Sequence, residues 1–336
     1  MARTRGKGKK SKNGHELTQR FLYYELDIED DGSNSHYLDL AAGMSALNRR
    51  LYRQGRQYHV ANVSVVDTSG KLTSCRFATL PQVWTTNKAW KLMFDAWKDQ
   101  RSRTLENAPE NVTGRWADFK VWMSQQHYID AGDENIPHNA GTTRGGILPV
   151  TSDMETIPFG EWMISDVSYV DDGTERANQP LWMLGPHSTT GSAADPSGVG
   201  LCAALQEMLE QPPESPQLPA DFEDSIILSM NPTTGSDLAD NILENIAEDN
   251  DIPPYNRIKV IGSDHTSTES ESFTLREVGW ASGAKGIASL PTMGFPVPLG
   301  LLEVRTTTSG ASTGNMCGVM IELVPGTYKG VHAEAF

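Results

Sequence analysis

The residues predict a mainly β chain: a single jelly roll or related sandwich with inserted helices and long surface loops. Three observations carry that expectation. Short runs of branched and aromatic residues recur between clusters of Gly, Pro, Asn and Asp, the punctuation of strands. Glycine (30) and proline (19) are plentiful and dispersed, which suits a loop-rich globular chain better than a helical bundle. Strand-like and helix-like runs do not alternate regularly, which argues against a doubly wound parallel sheet. At 336 residues the chain is long enough to bury a substantial core.

Taken in order, Phe21–Ile28 combines aromatic and branched residues and predicts a strand ending at the acidic turn Asp30-Asp31-Gly32. The stretch from Asp27 to Ser33 opens like a calcium loop. Its twelfth position, however, is Leu38 rather than the bidentate glutamate such loops need, so an acidic turn is the better reading. Leu40, Met44, Leu47 and Leu51 fall at helical spacing and predict an amphipathic helix over 38–53. Val60–Val66 and Leu72–Leu80 flank Asp67-Thr68-Ser69-Gly70 and predict a β-hairpin. Helices are expected at 86–103, with Trp90, Phe94 and Trp97 on one face, and at 115–124, where Trp116, Phe119 and Trp122 recur. Aromatics at this spacing fill a core more often than they stack on bases. Residues 130–155 and the proline-rich 211–219 read as loops. Strands at 159–170, 181–184, 224–230, 272–280, 301–307 and 316–324, with helices at 200–209 and 238–246, complete the pattern.

The formal net charge of −15 conceals a polarised chain. Residues 1–120 hold 20 basic and 13 acidic residues, net +7, whereas residues 121–336 hold 8 and 30, net −22. Such asymmetry marks a polyanion-binding end on an acidic body. The cations concentrate first in Arg3, Arg5, Lys7, Lys9, Lys10 and Lys12, interleaved with glycine and with no acid among residues 1–14. With no large apolar side chain beyond Met1, nothing there offsets the entropy of ordering. The expected organisation is a disordered basic arm over 1–20 and one jelly-roll domain over 21–336. A flexible cationic arm displaces counterions from phosphates and binds nucleic acid in a salt-sensitive way, without reading sequence. The same charges also suit a nuclear import receptor, or a solvated tail with no partner. A second cluster, Arg49, Arg50, Arg53 and Arg56, brings guanidinium forks that match phosphate oxygens. It is expected either to line the place where the arm emerges or to pair with acids of the body.

Other classes find less support. Cys75, Cys202 and Cys317 lie far apart with no CxxC or Cys/His spacing, so unpaired thiols are expected, and no metal site or cofactor is predicted. No charged leader is followed by an apolar run, and no window approaches about 18 consecutive apolar residues, so neither a secretory signal nor a membrane span is expected. The chain lacks a Walker A loop, GxGxxG, HExxH and GxSxG, and its eight histidines are scattered, so no enzyme is expected. Its 43 acids nonetheless supply many accidental carboxylate pairs, which keeps a jelly-roll carbohydrate-active enzyme as one alternative. A chromatin- or RNA-associated module with a basic tail is the other.

Several stretches carry a family resemblance. They are Arg3-Thr4-Arg5-Gly6-Lys7-Gly8-Lys9-Lys10, Leu47 to Gly55 (LNRRLYRQG), Trp84 with Ala89-Trp90, Trp116 to Met123 (WADFKVWM), Gly160-Glu161-Trp162, and the ending Leu323 to Gly330 (LVPGTYKG). On these the chain resembles the capsid proteins of small circular single-stranded DNA viruses that encode their own replication initiator, the broad environmental group related to circoviruses. The resemblance implies an eight-stranded jelly roll, copies of the chain assembled into a small icosahedral shell, arms directed inward onto a single-stranded DNA genome, and surface loops facing out. The expected location is the virion, with the host nucleus during assembly as a further station that the basic arm would suit. One departure matters: arms in that group are usually longer and richer in arginine than the six charges here. At about one charge per phosphate, six per subunit do not neutralise a kilobase-scale genome, so Arg49 to Arg56, polyamines or metal ions must supply the rest.

Overall fold

In a computed structural model the described residues are 18–28, 32–67, 69–106, 118–129, 165–171, 174–186, 197–209, 260–262, 273–279, 286–289, 294–310 and 315–336. Alternation of period two builds the first strand. Along Phe21–Asp27 (β1), Leu22, Tyr24 and Leu26 are buried while Phe21 is exposed. Gly32–Asp39 (β2) follows, and Asp39 caps Leu40–Asn48 (α1), its Oδ1 accepting from the Ala42 N–H at 2.9 Å. Arg49, at φ 55° and ψ 37°, ends the helix in the left-handed region. The helix is therefore shorter than 38–53, and Leu51 lies in the loop beyond it. Nor is it amphipathic, because every residue from Leu40 to Leu47 is buried.

The chain continues through Arg56–Asp67 (β3), Leu72–Thr79 (β4), Trp84–Glu106 (α2), Trp122–Ser124 (β5), Gln125–Ile129 (α3), Asp166–Asp171 (β6), Thr174–Leu184 (β7), Val199–Gly200 (β8) and Leu201–Leu209 (α4). It closes with Phe273–Gly279 (β9), Gly286–Ser289 (β10), Phe295–Val297 (β11), Leu301–Thr308 (β12), Met316–Leu323 (β13), Pro325–Gly326 (β14), Gly330–Val331 (β15) and Ala333–Ala335 (β16).

Antiparallel pairing arranges eight of these strands in two layers. One runs β1-β13-β3-β10, with β11 and β16 also paired to β3; the other runs β2-β12-β4-β9. The pairs are nested: β1 with β13, β2 with β12, β3 with β10, β4 with β9. The expected hairpin at 60–80 is thus a corner, since β3 and β4 belong to different layers. Asp67 makes that corner: its carboxylate accepts from the N–H groups of Ser69 at 2.8 Å, Gly70 at 3.1 Å and Leu72 at 3.0 Å. A turn signal specifies a reversal of the chain. It does not specify which strand completes the ladder.

Inward residues of both layers, among them Leu22, Val65, Phe77, Val304 and Ile321, share one core that α1 joins through Leu40 and Met44. A second core forms where elements inserted between β4 and β9 cover the other face of the β2/β12 layer. Tyr37 and Leu301 point into it, while their neighbours Leu38 and Leu302 point into the first. Trp90, Phe94 and Trp97 pack in the second core around Phe119, as their spacing predicts. The expected helix at 115–124 is not formed over its described part: Trp122 begins β5, which runs parallel to β7. The helices expected at 86–103 and 200–209 and the strands at 272–280, 301–307 and 316–324 appear as α2, α4, β9, β12 and β13. The segments 130–155, 211–219, 224–230 and 238–246 lie outside the described residues. Cys75, Cys202 and Cys317 are buried thiols outside any disulfide, and burial pushes the Cys317 thiol up to about 12. No helix among the described residues is long and apolar enough to cross a membrane.

Candidate nucleic-acid interface

Three stretches meet at one end of the β1-β13-β3 layer: residues 18–20 ahead of β1, the loop 49–55 ahead of β3, and the segment that follows β13. The loop alternates anchors and cations. Tyr52 and Gln54 are buried, whereas Arg49, Arg50 and Arg53 are exposed. Tyr52 N–H donates to Ser45 Oγ at 2.7 Å. Gln54 Nε2 donates to the Val121 carbonyl at 3.0 Å, and Val121 N–H donates back to Gln54 Oε1 at 2.7 Å. The backbone is held while the guanidinium heads stay in water, which lowers the entropy lost when they engage a ligand.

Arg56 sits differently. Its Cζ lies 3.9 Å from the centre of the Tyr328 ring, a cation–π contact, and Nη1 donates to the Ala333 carbonyl at 3.3 Å. Tyr328 packs edge-on against Tyr52 and Tyr58, with ring centres 5.9 Å and 6.4 Å away. Lys329 adds a cation that the sequence reading missed. Its Nζ lies 5.6 Å from the Tyr52 and Tyr328 ring centres and donates to the Leu51 carbonyl. Lys329 lies in the LVPGTYKG stretch that carries the family resemblance, but nothing in that stretch marks it as a binding cation. It stands 273 positions after Arg56 in the chain, and only the fold brings the two together.

Among the described residues no carboxylate forms an ion pair with Arg49, Arg53 or Arg56; the pairs seen are Arg76 with Glu277, Arg305 with Glu303 and His332 with Glu334. The acid nearest in charge effect is Asp118. Burial raises its pKa, while Lys120, Arg53 and Lys329 pull the other way. Burial likewise raises Asp39, opposed by Lys120 and by the Ala42 and Ala41 N–H groups.

The chain enters the layer within this patch. Thr18 Oγ1 donates to the Lys329 carbonyl at 3.0 Å. Gln19 N–H donates to Asn48 Oδ1 at 2.8 Å, and Asn48 Nδ2 returns a bond to the Gln19 carbonyl at 3.0 Å. Arg20 Nη1 donates to the Leu323 carbonyl at 3.4 Å. Gly330, at φ 96°, lets Thr18 pass, because a Cβ there would collide with Thr18 Oγ1. Arg3, Arg5, Lys7, Lys9, Lys10 and Lys12 lie outside the described residues. Arg49, Arg50, Arg53 and Arg56 are brought together with Lys329 beside residue 18.

Chemically, the patch offers guanidinium forks and an ammonium to phosphate oxygens, a contact that positions a backbone and carries no base sequence. Three buried carboxylates elsewhere have structural partners: Asp39 caps α1, Asp67 makes the β3–β4 corner, and Glu303 takes Arg305 at 2.7 and 3.2 Å. No family model matches the chain, and neither a curated protein nor a solved structure matches it.

Proposed function

We propose that this chain is a viral coat protein of the circovirus-like single-stranded DNA group, a jelly roll that assembles into a small icosahedral shell and packages the genome through its basic arm. The jelly-roll reading is supported by the nested pairing of the eight main strands, outermost with outermost and innermost with innermost, rolled across two layers. The viral reading rests on the resemblance of the stretches quoted above together with that strand order.

One observation carries the nucleic-acid role: Thr18, the first described residue, is fastened to Lys329 beside Arg49, Arg50, Arg53 and Arg56. The six cations of residues 1–14 are thus tethered next to five more. The patch adds its cations to those of the arm, and this offsets part of the shortfall of a six-charge arm. Binding of this kind is salt-sensitive, with a log–log slope of about −0.7 per phosphate neutralised on a single strand.

The experiment is to purify the full chain and a variant lacking residues 1–14 and to compare their 260/280 absorbance ratios and co-purifying polynucleotide. The variant is expected to fold and to carry much less nucleic acid. Equal nucleic-acid content in both proteins overturns the role given to the arm.

A further inference from the structure

A different cluster lies on the outer face of the β3–β16 ladder. Ala333 is opposite Tyr58, and Glu334 is opposite Gln57. Tyr58 and Ala333 turn toward the core, so the alternation of the strands turns His59, His332 and Glu334 to the other side. The backbone fixes the two histidines against each other: His59 N–H donates to the His332 carbonyl at 3.3 Å, and His332 N–H donates to the Val324 carbonyl at 2.7 Å. Their ring centres are 4.5 Å apart at 57°. His332 Nε2 stands 3.3 Å from Glu334 Oε1, and one potential ligand atom from each of the three residues lies within 4.8 Å of the others.

An ion pair between His332 and Glu334 explains only part of this. It leaves the Nε2 of His59, which is shut off from solvent, without a hydrogen-bond partner. Such an atom normally finds one, because burial strips its hydration and an absent partner returns nothing for it. Two imidazoles in contact are also a poor home for a proton. Burial, then the neighbouring His332, pushes His59 toward its neutral form, which is the form that binds metal.

We propose that His59, His332 and Glu334 bind a divalent late transition-metal ion of the Zn²⁺ type, which clamps the C-terminal strand β16 to β3. Two imidazole nitrogens and one carboxylate oxygen form a borderline ligand set that suits zinc, whereas magnesium and calcium require oxygens throughout. In a tetrahedral site with bonds of about 2.0–2.1 Å, adjacent ligand atoms stand about 3.4 Å apart. The His332–Glu334 separation of 3.3 Å already meets that, and the other separations, none above 4.8 Å, close by side-chain rotation. Three protein ligands leave the fourth position to water, or to a ligand from another molecule. No cysteine motif and no short-spaced histidine pair marks the site in the sequence. Here a His-x-Glu strand pair meets a histidine 273 positions earlier.

The test uses the full chain stripped with chelator and then titrated with ZnCl₂ in equilibrium dialysis, alongside Glu334→Gln, His332→Ala and His59→Gln. The wild type is expected to hold about one more Zn²⁺ per chain than the variants, whose affinity at this site falls at least about tenfold. Its thermal midpoint should rise with Zn²⁺ and not with Mg²⁺, as ligand linkage requires. Glu334 is exposed and His332 is half-buried, so the Glu334→Gln variant keeps the fold and decides the matter even where His59→Gln does not. Equal zinc stoichiometry and an equal thermal shift in wild type and Glu334→Gln would overturn the assignment, as would the same shift with Mg²⁺.

Discussion

Thr18 and Lys329 are joined across 311 positions of the chain by a hydrogen bond of 3.0 Å from the Thr18 hydroxyl to the Lys329 carbonyl. The contact ties the root of the basic N-terminal segment to the turn that carries Lys329, and it depends on the missing side chain of Gly330. Gly330→Ala brings a Cβ into Thr18 and forces a strained φ of 96° on an L-residue. The expected cost is about 1–3 kcal/mol, measured as a lowered midpoint in urea unfolding. An unchanged midpoint would show that the turn and Thr18 are not coupled.

Charge on the loop ahead of β3 should govern salt dependence rather than folding. Replacing Arg49, Arg50 and Arg53 together by Gln is expected to reduce the log–log salt slope of single-stranded DNA binding by about 2, at about 0.7 per contact. Because these side chains are exposed, unfolding free energy should move by no more than about 0.5 kcal/mol per site. Filter binding across a salt series checks the first expectation and denaturant titration the second.

Asp67 is nearly fully buried, and it holds the β3–β4 corner through three backbone N–H groups. Asp67→Ala leaves those donors without their acceptor, so a loss of about 2–4 kcal/mol is expected. Asp67→Asn, which keeps an acceptor oxygen, should lose less. Thermal denaturation of the two variants ranks them, and the reverse order would contradict the corner's description.

His127 is buried, stacked on Tyr37 at 4.5 Å, and its Nδ1 accepts from the Met123 N–H at 3.1 Å. Burial lowers its pKa to about 3. The unfolded chain takes up a proton near pH 6.5 that the folded chain refuses until about pH 3, so stability present above pH 6.5 is lost as pH falls. The slope of this contribution is about 1.4 kcal/mol per pH unit. A His127→Gln variant lacks it, and the stability gap between wild type and variant should narrow between pH 6.5 and 4. A gap that stays constant would mean that His127 titrates normally.

Much of the layered fold was legible in the sequence. The strands β1, β9, β12 and β13 and the helices α2 and α4 stood out because hydrophobic period and turn residues agree there. The failures have a common cause. β2 was missed because Gly32-Ser33-Asn34-Ser35-His36 carries little apolar pattern and is held by its β12 neighbour. β3 and β4 looked like a hairpin because a turn separates them, although each takes its partners from distant segments. Trp122 looked helical by spacing yet is held in β5 by pairing with β7. The candidate interface was half visible: Arg49 to Arg56 could be read as a run, whereas Tyr328 and Lys329 join them only through the ladder from β13 to β3.

The most direct test of the coat-protein account is negative-stain electron microscopy of the purified full chain across a range of ionic strengths, with its nucleic-acid content measured on the same fractions. Closed, uniform, megadalton-scale particles carrying polynucleotide are the expected result. A chain that stays a monomer or small oligomer at every salt concentration and carries no polynucleotide contradicts the account.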